Sequence, residues 1–298
     1  MRIAGKTCML LIAASVLLAG CASKEQPRTG SAATLNVVAS FYPMYLTALN
    51  VTTGIAGVSV VNMTANTTGC LHDYAITTAD MKRLAEADLF VTNGAGMESF
   101  LEKVAGQYPR LKIVQLAEGI PLIHGHGEEG DNPHVWVSVS HAMAQARNLG
   151  KAMAEVDPRN ADAYRKNTDA YAAKLEALRS TMEAALAPYG GRKIVTFHEA
   201  FPYFAQEFGL EIAAVVEREP GSAPSAKELA ETIDLIKAAG VKALFSEPQY
   251  PSAAADAIAR ETGAKVYVLD PVVTGPDDPD AYIAIMERNL AVLTEALQ

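Results

Sequence analysis

Short β-branched apolar runs alternate with longer stretches of helical periodicity through most of the chain, and this alternation limits it to folds assembled from βαβ units. Leu35–Ser40, Val58–Asn62, Leu89–Thr92 and Ile113–Leu116 form a first set of candidate strands. Lys193–Phe197, Ile212–Val216, Ala243–Ser246 and Val266–Leu269 form a second. Between the sets, Asp157-Pro158 supplies an N-cap and a proline suited to the first helical turn, and no Gly or Pro follows from Arg159 to Leu186. Tyr164, Tyr171, Leu175, Leu178, Met182 and Leu186 recur at spacings of three, four and seven there, which is one apolar stripe on a helix of about thirty residues, close to 40 Å long. The predicted fold class is α/β, with two lobes that each carry a four-stranded parallel sheet flanked by helices, joined by one long rigid helix. The boundaries read from the sequence are an N-terminal lobe over 35–156, a linking helix over 157–188 and a C-terminal lobe over 189–298. Val38-Ala39-Ser40-Phe41-Tyr42-Pro43 and the stretch from Val195 to Pro202 share a short likeness, which favours two similar lobes.

The N-terminus sets the expected compartment. Arg2 and Lys6 precede an apolar run from Met9 to Leu18 that is too short to span a bilayer as a mature helix. The run ends in Leu18-Ala19-Gly20-Cys21, which resembles a bacterial lipobox and predicts a lipoprotein signal peptide over 1–20 with Cys21 as the lipidated residue. A polar, Ser/Gly/Thr-rich stretch follows, so 21–34 reads as a flexible tether. Lipidation would place the protein outside the cytoplasm, anchored to the bacterial cell membrane. Of three cysteines, Cys8 leaves with the signal and Cys21 carries lipid, so Cys70 has no partner for an intrachain disulfide. The net charge of −9 becomes −11 once Arg2 and Lys6 are removed. An acidic chain without a basic patch argues against nucleic acid and suits a cationic ligand.

Four polar residues, His72, His134, His198 and Asp270, fall just after predicted strands or in the loops that follow them, two in each lobe. Ligands of open α/β sheets gather at the carboxyl ends of the strands, so facing lobes would converge these groups. Three imidazoles and a carboxylate suit tetrahedral zinc, and other first-row divalent ions use such sets too. A lone histidine is more often a core or surface residue; the argument for a metal lies in the set.

Gly69-Cys70-Leu71-His72-Asp73-Tyr74, Asn132-Pro133-His134-Val135-Trp136, the run from Phe197 through Phe204, and Val268-Leu269-Asp270-Pro271 resemble the four metal motifs of the zinc- and manganese-binding solute-binding lipoproteins of metal ABC transporters. The likeness extends over the mature chain, long helix included. It implies two α/β lobes bridged by a rigid helix, a metal held between them by His72, His134, His198 and Asp270, and no enzymatic turnover. It further implies partners in a membrane permease with its cytoplasmic ATPase, and a monomeric carrier. Cys70-Leu71 stands where the family often has Asp-Pro, and Val137-Ser138-Val139 where it often has Leu-Asp-Pro.

Manganese-selective relatives tend to carry a carboxylate at the third position, so His198 points to Zn2+ as cargo, with Mn2+ and Fe2+ as the alternatives. His124 and His126 lie in an acid-rich loop that reads either as a weak metal-recruiting loop or as plain surface. Trp136 is expected to wall the site, and Glu247 to hydrogen-bond a ligating imidazole. A cell-surface zinc hydrolase is the rival from another class, and Pro202 stands where a zincin helix beginning at His198-Glu199 would need its second histidine. An adhesin is a third reading, and neither repeats nor a protein-binding module support it.

Overall fold

The computed structural model describes residues 35–65, 69, 71, 74–124, 130–216, 225–249 and 253–298. The described residues belong to one compact unit. Its first sheet is built from β1 (Leu35–Ala39), β2 (Val58–Asn62), β3 (Leu89–Thr92) and β4 (Lys112–Gln115), with α1 (Tyr42–Thr52), α2 (Thr78–Ala85) and α3 (Leu101–Gln107) between them. Its second uses β5 (Lys193–Thr196), β6 (Glu211–Val215), β7 (Ala243–Ser246) and β8 (Lys265–Val268), with α6 (Pro202–Phe208), α7 (Ala226–Ala239) and α8 (Ala253–Thr262) as connections. The helices α4 (Val139–Val156) and α5 (Ala161–Leu186) separate the two sheets in sequence, and α9 (Ala281–Ala296) ends the chain.

All pairings are parallel, and the orders β2-β1-β3-β4 and β6-β5-β7-β8 are the same topology twice. In each sheet the strand order reverses beside the first strand. Such a switch point opens a crevice at the carboxyl ends, between the loop after β1 and that after β3, or after β5 and after β7.

The long helix contains the whole apolar stripe but is shorter than the expected span of 157–188. Pro158 and Pro188 lie in 3-10 turns at Pro158–Asn160 and Ala187–Tyr189, so α-helical hydrogen bonding is confined to Ala161–Leu186. The six stripe residues from Tyr164 to Leu186 are all buried. Their partner is α4, which the sequence reading did not single out, and the two helices pack tightly at Gly150. A Cβ built there would lie 2.1 Å from Thr168 Oγ1, so only glycine allows the crossing. One continuous core runs from the first sheet through α4, α5 and α9 to Phe245 and Leu269 of the second half. A separate core, which includes Val195, Phe197, Ile236, Leu244 and Ile258, fills the space under α7 and α8. No helix among the described residues is long and apolar enough to cross a membrane.

Candidate metal site

At the switch point of the first sheet lies a buried carboxylate, Glu98. It accepts from Ser40 Oγ (2.8 Å) after β1 and from the amides of Asn93 (2.7 Å) and Gly94 (3.0 Å) after β3. Burial raises its pKa above the ordinary value, against the pull of those three donors. Asn93 in turn donates to the carbonyl of Pro133 (2.9 Å) and accepts from Gln145 of α4 (2.8 Å). The loop that carries His134 is therefore tied to the end of the first sheet.

Asn132 then orients the imidazole. Its Oδ1 accepts from the His134 amide (2.9 Å) and lies 3.0 Å from His134 Nδ1, while its Nδ2 donates to the Glu199 carbonyl (2.9 Å). Because the Nδ2 donation fixes which end of the amide is oxygen, Nδ1 of His134 is the protonated nitrogen and Nε2 presents a lone pair. That Nε2 lies 3.0 Å from Nε2 of His198, with the rings edge to face and their centroids 4.7 Å apart. Both histidines are 2% exposed. His198 follows β5 directly, where Phe197 donates to the carbonyl of Phe245 (3.0 Å). Two nitrogens bound tetrahedrally to zinc at about 2.05 Å would be about 3.3 Å apart, so the pair lies a few tenths of an ångström from a chelating separation.

Trp136 lies beside His134. Its ring centroid is 5.3 Å from that of His134 and 5.0 Å from Phe41, and its Nε1 donates to the Pro271 carbonyl (2.7 Å). Pro271 follows Asp270, so the tryptophan ties the Asp270 loop to the His134 loop. Asp270 follows β8, and its backbone is clamped by Asn289 of α9 through two hydrogen bonds (2.9 and 2.8 Å). Its Oδ1 accepts from the Val272 amide (2.8 Å), and burial raises its pKa, opposed by that amide and by Arg288. Val272 has φ +62°, an unfavourable conformation for a β-branched residue and a local strain beside the candidate ligand.

Glu247 ends β7, between the strands that lead to His198 and Asp270. It is 3% exposed, and neither carboxylate oxygen has a hydrogen-bond partner among the described residues. The expected bond to His134 or His198 is thus not made. Burial, and then the charge of Asp270, push its pKa well above the ordinary value.

His72 and Cys70 lie outside the described residues, as do His126 and the N-terminal segment with Cys21. His124 is exposed, with Nδ1 2.5 Å from Asp131 Oδ1. Among the described residues no group of three or more His, Cys, Asp or Glu comes together as a metal cage. The structure therefore joins two of the four expected ligands, His134 and His198. Sequence reasoning missed Asn132 as a functional residue. The signal was available, because an Asn two residues before a histidine can turn its side chain back onto that residue's amide.

The family whose profile matches residues 37–296 is described as the zinc-uptake complex component A, periplasmic, ZnuA. The chain belongs to the ZnuA family. The high-affinity zinc uptake system protein ZnuA of Bacillus subtilis is 31% identical over 97% of this chain and 95% of its own. The zinc-binding lipoprotein AdcA of Streptococcus pneumoniae is 28% identical over 97% of this chain, which spans only 61% of AdcA. Among solved structures, the solute-binding protein FpvC of Pseudomonas aeruginosa with Mn2+ superposes with a TM-score of 0.81 at 32% identity, over 89% of this chain and 98% of FpvC. A ZnuA crystal structure gives 0.77 at 29% identity, over 89% of this chain and all of the other. The ZnuA fold is thus shared over 89% of this chain.

Proposed function

We propose that this protein is the extracytoplasmic substrate-binding component of a metal ABC transporter, capturing Zn2+ between its two halves and delivering it to a membrane permease driven by a cytoplasmic ATPase. The observation that carries the reading is the buried His134–His198 pair, one imidazole from each half, with Nε2 facing Nε2 at 3.0 Å. His72 and Asp270 complete the proposed ligand set. Four protein ligands would leave no open coordination position, which suits storage and hand-over and not hydrolysis. The relatives are zinc-uptake and zinc-binding proteins, which favours transport over turnover. FpvC structures with Ni2+ and Mn2+ keep other divalent cargo in play, and neutral nitrogen donors favour zinc over manganese. Anchoring through a lipid on Cys21 follows from the Leu-Ala-Gly-Cys sequence and fits the lipoprotein relatives. The proposed division is a lobe over 35–156, a linking helix over 157–188 and a lobe over 189–298.

Elemental analysis and competitive metal titration of the protein lacking residues 1–21 test this directly. One tightly held zinc is expected, weakened by at least about a hundredfold in His198→Ala, the loss of one inner ligand exceeding the 10–100-fold typical of an outer partner. Preferential manganese or iron binding would change the cargo, and no stoichiometric metal would refute the carrier reading. Protons compete for the ligating nitrogens, so affinity should fall as pH drops through about 6.5.

A further inference from the structure

We propose that Glu207 is a positioning residue for cargo capture, latching α6, which follows His198, onto α4, which follows His134. The inference rests on the metal-site reading above. Ser140 is the second residue of α4, and its amide is one of those a helix leaves without an internal partner in its first turn. Glu207 Oε1 accepts both that amide (3.0 Å) and Ser140 Oγ (2.5 Å), and a negative charge is favoured at a helix N-terminus. One turn earlier on α6, Tyr203 donates to the carbonyl of Asn132 (2.6 Å) and accepts from the Ile123 amide (3.0 Å).

Two side chains four residues apart on one short helix thus hold the segment 132–140 at both ends, and His134 lies within it. His198 stands only four residues before α6 begins, so the seating of α6 sets how His198 meets His134. His141 packs edge-on against Tyr203, with centroids 5.2 Å apart, and covers the contact. Glu207 Oε2 is buried with no hydrogen-bond partner among the described residues. A half-used buried carboxylate is costly to folding, and an apolar residue would avoid that cost. Its presence at this seam is accounted for if it holds the two ligand-bearing segments in register.

The test compares zinc release into excess chelator, by stopped flow, for the wild type and for Glu207→Ala, Glu207→Gln and Ser225→Ala. The last removes a distant N-cap, that of α7, and controls for general destabilisation. Glu207→Ala should release zinc about tenfold faster, the weight of a charged hydrogen bond, and Glu207→Gln should restore most of the loss. Ser225→Ala should lower the melting temperature without changing release. Release from Glu207→Ala within twofold of wild type, or equal acceleration by Ser225→Ala, overturns the proposal. If Glu207→Ala does not fold, Ser140→Ala removes only the hydroxyl and should accelerate release about threefold, and an unchanged rate overturns the latch. A metal-free arm separates this proposal from the carrier reading. Amide exchange over residues 132–141 should quicken in Glu207→Ala (or Ser140→Ala) even if the wild type held no zinc, and unchanged exchange overturns the latch.

Discussion

Asn132 offers the sharpest test of how the candidate site is organised. Its side chain makes three contacts, to the His134 amide at 2.9 Å, to His134 Nδ1 at 3.0 Å and to the Glu199 carbonyl at 2.9 Å. Asn132→Ala removes all three and leaves a buried amide and carbonyl without these partners. At about 1 kcal/mol net for each bond, the fold should lose about 3 kcal/mol. A domain of this size shifts by about 2–4 °C per kcal/mol, so the melting temperature should fall by roughly 6–12 °C. The functional loss is separable from this. Without an acceptor at Nδ1, His134 no longer has a fixed tautomer or ring orientation, and removal of such an outer partner typically costs 10–100-fold in metal affinity. Competition against a chromophoric chelator measures it. Asn132→Asp keeps an acceptor for both His134 contacts but turns a carboxylate oxygen toward the Glu199 carbonyl, so it should lose stability while its affinity stays within about fivefold of wild type. If Asn132→Ala binds zinc within threefold of wild type, the imidazole is oriented by something else and the assignment of its tautomer is wrong.

Two further outcomes follow from the packing and from burial. Gly150→Ala places a methyl 2.1 Å from Thr168 Oγ1 and should cost about 1–3 kcal/mol, read as a lower melting temperature with unchanged zinc affinity; adding Thr168→Ala should recover most of it, and full stability in the single variant would refute the tight crossing. Glu247 has a pKa far above its ordinary 4.5, so it favours folding only while protonated, its contribution complete below 4.5 and lost as pH rises through the folded value. Metal-free Glu247→Gln should therefore gain melting temperature relative to wild type as pH rises from 5 to 8, and superimposable profiles would refute the reading.

The eight strands were legible to within one residue because parallel strands buried on both faces read as compact β-branched runs. Lys112 and Glu211 extend β4 and β6 by one residue beyond the apolar pattern, because edge strands carry exposed polar residues at their ends without losing their pairing. The long helix was legible from its stripe and its ends from Pro158 and Pro188, whereas the 3-10 turns at those ends were not. His134 and His198 could be named in advance since their type and strand-end placement coincide. Asn132 could have joined them from its place two residues before His134, but Glu207 and Tyr203 could not, because each acts through a contact more than sixty residues away in sequence. Nothing in local periodicity encodes such a contact. For Glu247, a strand-end carboxylate was visible in the sequence, and its lack of a hydrogen-bond partner among the described residues was not.

How the site could open is constrained by what holds each ligand. Asp270 belongs to the second sheet by sequence, yet the stretch that follows it is bonded to the first half through Trp136 to Pro271 (2.7 Å), Tyr42 to Pro276 (2.7 Å) and Asn50 to Pro279 (2.7 Å). Tyr282 returns a bond to the Trp136 carbonyl (2.8 Å), and Lys174 of α5 meets Asp280 (2.7 Å). Leu269, Val272, Val273 and Tyr282 pack into the same continuous core as Trp136 and α5. Swinging the whole second half away would break all of these contacts at once and expose that core. At roughly 1.5–3 kcal/mol for each large apolar side chain exposed, four such residues alone would cost about 6–12 kcal/mol, comparable to the stability of a whole domain. The core beneath α7 and α8 is separate, and Phe197, next to His198, belongs to it. Exchange of cargo is therefore cheaper through movement of individual ligand loops than through a hinge between halves.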